Sequence, residues 1–124
     1  MGRIGSWWLA KVDPLKGERV RFALLANRSQ SSKRAVGGKL FVTNKRCVFT
    51  PHLLDFYTGG KICEFPLSEI GCVGVQPAGG DTFGGGLRDR LRIEHSNGIE
   101  LFVVNKLSQV IASLQTLTAG NARQ

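Results

Sequence analysis

Residues 37–50 constrain the fold more than any other stretch, because they predict a tight β-hairpin. Two β-rich runs meet at Asn44-Lys45, and asparagine tolerates the positive φ that a two-residue hairpin loop requires. If Thr43 faces Arg46 across the turn, strand alternation gives the hairpin two different faces. The apolar face, expected to lie in a core, carries Leu40, Val42, Cys47 and Phe49. The other face is basic, and it carries Phe41 and Val48 among Lys39, Thr43, Arg46 and Thr50.

The rest of the chain predicts further strands and then one helix. Strand patterns recur at residues 19–26, 62–67, 70–76, 91–95 and 99–104, and Asn97-Gly98 is a strong hairpin signal between the last two. In the strand at 99–104 we expect Leu101 and Val103 to be buried. Residues 27–38 are expected to form a polar loop, and the glycine-rich residues 77–86 a mobile one. After these, apolar residues recur at helical spacing: Leu107, Val110, Ile111, Leu114 and Leu117.

Composition fits one compact domain in a reducing compartment. The chain has 124 residues, 42% of them hydrophobic, and no apolar run long enough to cross a bilayer. Lys11 interrupts the apolar run after Trp7-Trp8, so a secretory h-region is lacking. We therefore expect a cytoplasmic protein. The cysteines are odd in number and lack CxxC spacing, which predicts no zinc site and three unbridged thiols, at Cys47, Cys63 and Cys72.

Charge is distributed unevenly along the chain. The formal net charge is +8, and residues 1–46 contain eleven of the seventeen basic residues but only two of the nine acids. A positive region of this kind indicates an anionic partner, which can be a lipid surface, a nucleic acid or an acidic protein. The alternative is a solvated basic face that keeps the protein soluble.

Two runs resemble GRAM domains. Residues 38–49 are similar to the G-x-L-x-x-T-N-x-R-x-x-F hairpin of that family, and residues 64–70 to its strand-Pro-Leu-x-x-Ile step. The resemblance covers residues 17–117 and implies a mainly β, pleckstrin-homology-like fold: a seven-stranded antiparallel bent sheet or barrel capped by one C-terminal helix. We place this domain at residues 19–119, after a segment of undefined structure (1–18) and before a frayed tail (120–124). Domains of this type are non-enzymatic, and several bind phosphoinositides or other anionic lipids while others bind proteins.

The resemblance also implies a lipid site around the loop after the first strand. In lipid-binding pleckstrin-homology domains, basic residues there and at the start of the second strand hold the headgroup phosphates. Phe41 stands where the basic-x-Arg pattern has its arginine, which favours nonspecific anionic binding over recognition of one inositol phosphate. The matching basic residues are Arg28, Lys33, Arg34 and Lys39, supported by Lys45, Arg19 and Arg21.

Charge alone gives weak membrane binding, so an apolar anchor is also expected. A basic residue near an anionic leaflet contributes about 1 kcal/mol, so four or five give a near-millimolar interaction. Trp7 and Trp8 are candidate anchors, as are Phe41 and Phe83. The alternative for the tryptophans is that at least one packs on the sheet over Phe41 and Val48, and the alternative for Phe83 is a disordered connector.

Three functions remain open, and we expect none of them to be enzymatic. The first is association with anionic lipid headgroups or a membrane surface, which would make the protein peripheral at the membrane. The second is a protein-interaction adaptor using a sheet edge or the groove beside the helix, and the distant third is binding of single-stranded nucleic acid. His52, His95 and the scattered acids suggest neither an acid–base pair nor a cofactor or metal site. An exposed Phe41/Val48 patch would favour a homo-oligomer.

Overall fold

The computed structural model describes residues 3–5, 7–31, 34–78 and 88–122. Its elements are β1 (Val20–Ser31), β2 (Arg34–Thr43), β3 (Arg46–Pro51), α1 (Leu53–Tyr57), β4 (Cys63–Pro66), a 3-10 turn (Leu67–Glu69), β5 (Ile70–Gln76), β6 (Arg90–His95), β7 (Gly98–Val104) and α2 (Leu107–Ala122). The strands form one antiparallel sheet in the order β4-β3-β2-β1-β7-β6-β5. Within the described residues β4 and β5 end the sheet without pairing to each other, so it is bent but unclosed. The mainly β fold with a C-terminal helix is confirmed.

The predicted hairpin is present with the predicted register. Phe41 pairs with Val48, and the pairs on either side are Leu40 with Phe49 and Val42 with Cys47. The predicted core face is fully buried at all four positions. It lies against the C-terminal helix and the opposite strands, where the Phe49 and Phe102 ring centroids are 5.7 Å apart.

Helix α2 packs against β5, β6 and the 3-10 turn with one apolar stripe. Leu114 is fully buried in the main core, and Val110, Ile111 and Leu117 are half-buried against it. The stripe matches the predicted helical spacing, and the helix continues to Ala122, into the tail that we expected to be frayed.

Two predictions about strands are wrong. Residues 27–31 and 34–38 are strand rather than loop, because β1 and β2 continue to pair there, with Arg28 opposite Val36 and Val36 fully buried. In β7 the buried residues are Phe102 and Val104, while Leu101 and Val103 are half-buried. The two-residue turn sets this phase, since it pairs His95 with Gly98 and therefore puts Phe102 opposite the buried Leu91.

The N-terminal segment covers the outer face of the β2–β3 hairpin. Ile4 and Leu9 bury Phe41 and Val48 in a second core, and the half-buried Trp8 packs against it. Backbone hydrogen bonds attach the segment, including those from Ala10 N to Pro51 O and from Leu53 N to Trp8 O, each 3.0 Å long. The face predicted to be basic is therefore largely covered: Thr43 and Thr50 are fully buried, and Arg46 is 7% exposed.

A buried ion pair joins this segment to the hairpin. Glu18 is 1% exposed and accepts from Arg46 through two hydrogen bonds, from Nε (2.8 Å) and from Nη2 (2.9 Å). Thr43 Oγ1 also donates to Glu18, at 2.7 Å. Burial opposes ionisation of Glu18, but the hydrogen bonds from Arg46, the Leu15 N–H and Thr43 outweigh it and lower the pKa of Glu18 to about 2.

The lowered pKa of Glu18 predicts acid sensitivity. A carboxylate with a depressed folded-state pKa contributes stability above its unfolded pKa, and that contribution is lost as pH falls through the folded value. We expect the free energy of unfolding to lose about 3 kcal/mol from Glu18 as pH falls from about 4.5 to about 2. Urea unfolding at a series of pH values measures this loss. In Glu18→Gln, the free energy of unfolding should depend less steeply on pH in this window, by the equivalent of one bound proton. An unchanged dependence would contradict the lowered pKa of Glu18.

The burial of Leu114 predicts that α2 is part of the core. Leu114→Ala should lower the free energy of unfolding by about 2–5 kcal/mol, because it leaves a cavity beneath the helix. Chemical denaturation followed by circular dichroism provides the measurement. The exposed neighbour Ser113→Ala serves as control and should change stability by less than about 0.5 kcal/mol. Equal effects of the two substitutions would mean that α2 does not cap the sheet.

Candidate functional site

The strand residue Arg28, predicted to bind headgroups, is engaged within the protein. Its Nη2 lies 2.9 Å from Glu100 Oε1, and both side chains are about 15% exposed. His95 Nε2 lies 3.0 Å from the other oxygen of Glu100 and stacks on Phe65 at a centroid distance of 4.7 Å. Arg28 thus joins β1 to β7 and does not extend into solvent.

Arg34 also has partners in the protein. Its Nη1 donates to the carbonyl oxygen of Thr58 at 2.7 Å, and Nη2 donates to that of Asp55 at 3.3 Å. These carbonyls lie at the end of α1, where a cation satisfies main-chain acceptors that the helix leaves free. The structure therefore assigns Arg34 a capping contact, and it does not bring Arg28 and Arg34 together as one open cluster.

The other predicted basic residues divide into two groups. Lys39 lies over the Phe41 ring, with Nζ 5.6 Å from its centroid, and Lys45 Nζ donates to the carbonyl oxygen of Lys16. Arg19 and Arg21 are exposed at the start of β1. Lys33 lies outside the described residues, as does the candidate anchor Phe83.

The aromatic anchor candidates have different environments. Trp7 is 83% exposed, whereas Trp8 is half-buried, with its ring 5.8 Å from that of His52. Phe41 is only 8% exposed because Ile4 and Leu9 cover it. Phe41 is therefore not an exposed anchor, and the Phe41/Val48 pair offers no homo-oligomer patch. Sequence analysis gave packing of one tryptophan over Phe41 and Val48 as the alternative, and Trp8 packs in this way.

Exposed apolar side chains gather beside Trp7, on a helix that sequence analysis missed. Helix α1 presents Leu54 (72% exposed) and Tyr57 (77% exposed), which are three residues apart and share a face. Phe56 is 39% exposed and contacts the Tyr57 ring. We call Trp7, Leu54, Phe56 and Tyr57 the aromatic patch. The apolar residues at 53, 54, 56 and 57 were visible in the sequence, but so short a segment interrupted by Asp55 does not distinguish a helix from a strand.

Local geometry fixes the position of the aromatic patch. Pro51 ends β3, and the His52 side chain then caps α1 by accepting from Leu54 N at 3.1 Å. Asp55 is turned inward, where Oδ2 accepts from Gly37 N at 3.2 Å. The one acid of α1 is thus directed into the protein, away from the patch.

Basic side chains border the aromatic patch. Arg3 and Lys11 line the same 370 Å³ cavity as Trp7, Phe56 and Tyr57. Arg3 is held in place by Asp13, with Nε 3.0 Å from the carboxylate, in an exposed pair. An exposed apolar surface with a cationic border is the combination that interfacial membrane contacts use.

The described residues contain no group of three or more His, Cys, Asp or Glu side chains arranged to hold a metal ion. Within the same part of the chain, no helix has the length and apolarity needed to cross a membrane.

The two inner cysteines are poorly reactive. Burial raises the pKa of Cys47 to about 12, with a smaller effect of Cys63 beside it. Burial also raises the pKa of Cys63 to about 11, although Arg28 opposes that shift. Both thiols are therefore protonated at neutral pH, and a protonated thiol is a weak nucleophile.

Exposure and pKa together predict selective cysteine labelling. All three cysteines are free, and Cys72 is the exposed one. In native protein at mildly alkaline pH, iodoacetamide should modify Cys72 well before Cys47 and Cys63, and denaturant should make all three react. Peptide mass mapping reads the sites, and Cys72→Ser is the control that should stay unlabelled while folded. Equally rapid native labelling of Cys47 would show that the core opens readily.

Comparison with known proteins identifies a fold but no family. The chain matches no family model and no curated protein. It is similar in structure to the crystal structure of the C-terminal domain of an unknown protein from Leishmania infantum, with a TM-score of 0.63 and 14% sequence identity. The similarity covers 84% of this chain and 87% of that one. At this identity it concerns the fold alone, and the resemblance to GRAM domains stays a prediction.

Proposed function

We propose that this protein is a non-enzymatic module that associates with anionic membrane surfaces through the aromatic patch. The observation that supports the proposal is the strong exposure of Trp7, Leu54 and Tyr57. Arg3 and Lys11 line one cavity with Trp7 and Tyr57. Tryptophan and tyrosine favour the membrane–water interface, where an apolar ring and a polar atom are both accommodated. The resemblance to GRAM domains favours the same class of function.

An energy estimate supports a surface that combines the aromatic patch with a basic border. Burying ~200 Å² of the aromatic patch contributes about 5 kcal/mol at ~25 cal/mol per Å². Lys11 near an anionic leaflet adds about 1 kcal/mol, while Asp13 offsets the charge of Arg3. The sum of about 6 kcal/mol corresponds to a dissociation constant of ~40 μM, which charge alone does not reach. The aromatic patch thus supplies the apolar contribution that electrostatic attraction to the leaflet lacks.

This surface replaces the loop after the first strand as the main contact in the proposal. Arg28 and Arg34 would have to leave Glu100 and the end of α1 before they could hold a phosphate. Trp7 and Lys11 need no such rearrangement, because both are exposed.

Tryptophan fluorescence tests insertion of the patch. In Trp8→Phe the emission comes from Trp7 alone, and vesicles of phosphatidylcholine with phosphatidylserine should shift it to shorter wavelength. Brominated lipid tails should quench it, because the ring would lie at the acyl boundary. In Trp7→Phe the remaining Trp8 is half-buried in the protein and should respond much less. An unresponsive Trp7 on vesicles that bind the protein would locate the contact elsewhere.

Vesicle co-sedimentation tests the energetic contribution of the patch. The double variant Trp7→Ser, Leu54→Ser should bind phosphatidylserine vesicles at least tenfold more weakly, a loss of about 1.4 kcal/mol or more. The matched control is Val75→Ser, Ile99→Ser, which also removes two exposed apolar side chains, on β5 and β7. Binding should weaken moderately with salt, since part of the attraction is electrostatic. Wild-type protein that ignores these vesicles at low salt would overturn the proposal.

A further inference from the structure

Strand β1 has a free edge along its first half. It pairs with β2 from Val20 to Ser31, but its ladder with β7 covers only Ala26, Asn27 and Arg28. The reason lies at the end of β7, where Lys106 adopts a positive φ of 54° and the chain leaves the sheet to begin α2. Among the described residues, no second strand pairs with Val20–Leu25 on that side. This edge is about 20 Å long at ~3.3 Å per residue, enough for a six-residue strand.

An apolar groove runs beside this free edge. Its volume is 450 Å³, and it lies between the first half of β1 and the first turns of α2. Phe22 and Leu24 form one wall and Val110 the other, all three half-buried. Asn105, Gln109 and Ser113 provide polar atoms along the helix side. An extended segment paired to β1 would place alternate side chains in this groove, because neighbouring residues of a strand point to opposite faces.

Among the described residues, the charged side chains around the groove are positive. Lys106 lines it, Arg21 is exposed on β1, and Arg19 is exposed immediately before β1. Helix α2 contains no charged residue, and the acid nearest in sequence, Glu18, is buried against Arg46. An occupant with acidic side chains on its outward positions would therefore find complementary charge.

We propose that this groove binds an extended acidic segment of a partner protein, which adds to the sheet as a strand beside Val20–Leu25. The partner's apolar residues, two apart, fill the space between Phe22, Leu24 and Val110. Its intervening carboxylates face Arg19 and Arg21. A second copy of this chain fits poorly, since β1 paired to β1 would bring four arginines together. This site shares no residue with the aromatic patch and does not depend on the membrane proposal.

Titration with a synthetic peptide tests the site. The probe is a seven-residue peptide of alternating valine and aspartate with blocked ends, and the control has the same composition with the aspartates grouped at one end. In two-dimensional NMR spectra of the ¹⁵N-labelled full chain, the alternating peptide should shift the amides of residues 20–25 and 106–113. It should also slow amide exchange along the β1 edge. The grouped peptide should bind several-fold more weakly, because it cannot fill the groove and meet the arginines together.

Charge variants separate the groove from general electrostatic attraction. Arg21→Glu and Gln109→Glu should each weaken binding about fivefold or more, since each places a carboxylate beside the peptide. Lys61→Glu makes the same charge change as Arg21→Glu at an exposed position outside the groove, and it should have a much smaller effect. An equal effect of Lys61→Glu, equal binding of both peptides, or shifts centred elsewhere would overturn the proposal. So would protection of the β1 edge by anionic vesicles or by self-association rather than by the peptide.

Discussion

The buried Glu18–Arg46 ion pair is the interaction on which the outer half of the structure depends. Arg46 also donates to the Asp13 carbonyl oxygen at 3.0 Å and pairs with Glu64 at 2.6 Å, so it joins the N-terminal segment, β3 and β4. Removing one partner of a buried ion pair costs about 3–5 kcal/mol, a large part of a small domain's stability. While the pair holds, Ile4 and Leu9 remain over Phe41 and Val48, and Trp7 remains beside α1. The aromatic patch is thus a consequence of a salt bridge elsewhere in the chain.

Much of the fold follows from local sequence patterns, and the errors occurred where those patterns are ambiguous. The hairpin at residues 37–50 has a clear turn and clear alternation, and its register was predicted correctly. Residues 101–104 are all apolar, so alternation cannot choose which two face the core. The turn decides which of these residues face the core, because its two-residue loop pairs His95 with Gly98. Residues 27–31 and 34–38 look polar, yet β1 and β2 pair with each other there, and β7 adds pairs at Asn27 and Arg28.

The candidate site was less predictable, because residue type does not reveal whether a charged side chain already has a partner. Arg28 and Arg34 are basic residues in a polar stretch, which favours solvent exposure. Glu100, the partner of Arg28, lies 72 positions further along the chain, and only the β1–β7 pairing brings the two together. Trp7 was identified as a candidate from its type alone. Its neighbours on α1 were not, since a five-residue segment of four apolar residues and Asp55 gives no sign that it lies outside the sheet.

Both proposed surfaces arise where the main chain leaves the sheet. Pro51 ends β3, and the apolar residues of α1 beyond it have no strand to pack against, so several remain exposed. Lys106 ends β7 while β1 continues, which leaves main-chain groups and apolar side chains of β1 without a neighbouring strand. A sheet of unequal strands therefore produces surfaces that a closed barrel would have buried. Arg3 and Lys11 border the first surface and Arg21 lies beside the second, which explains why an anionic partner is the common expectation for each surface.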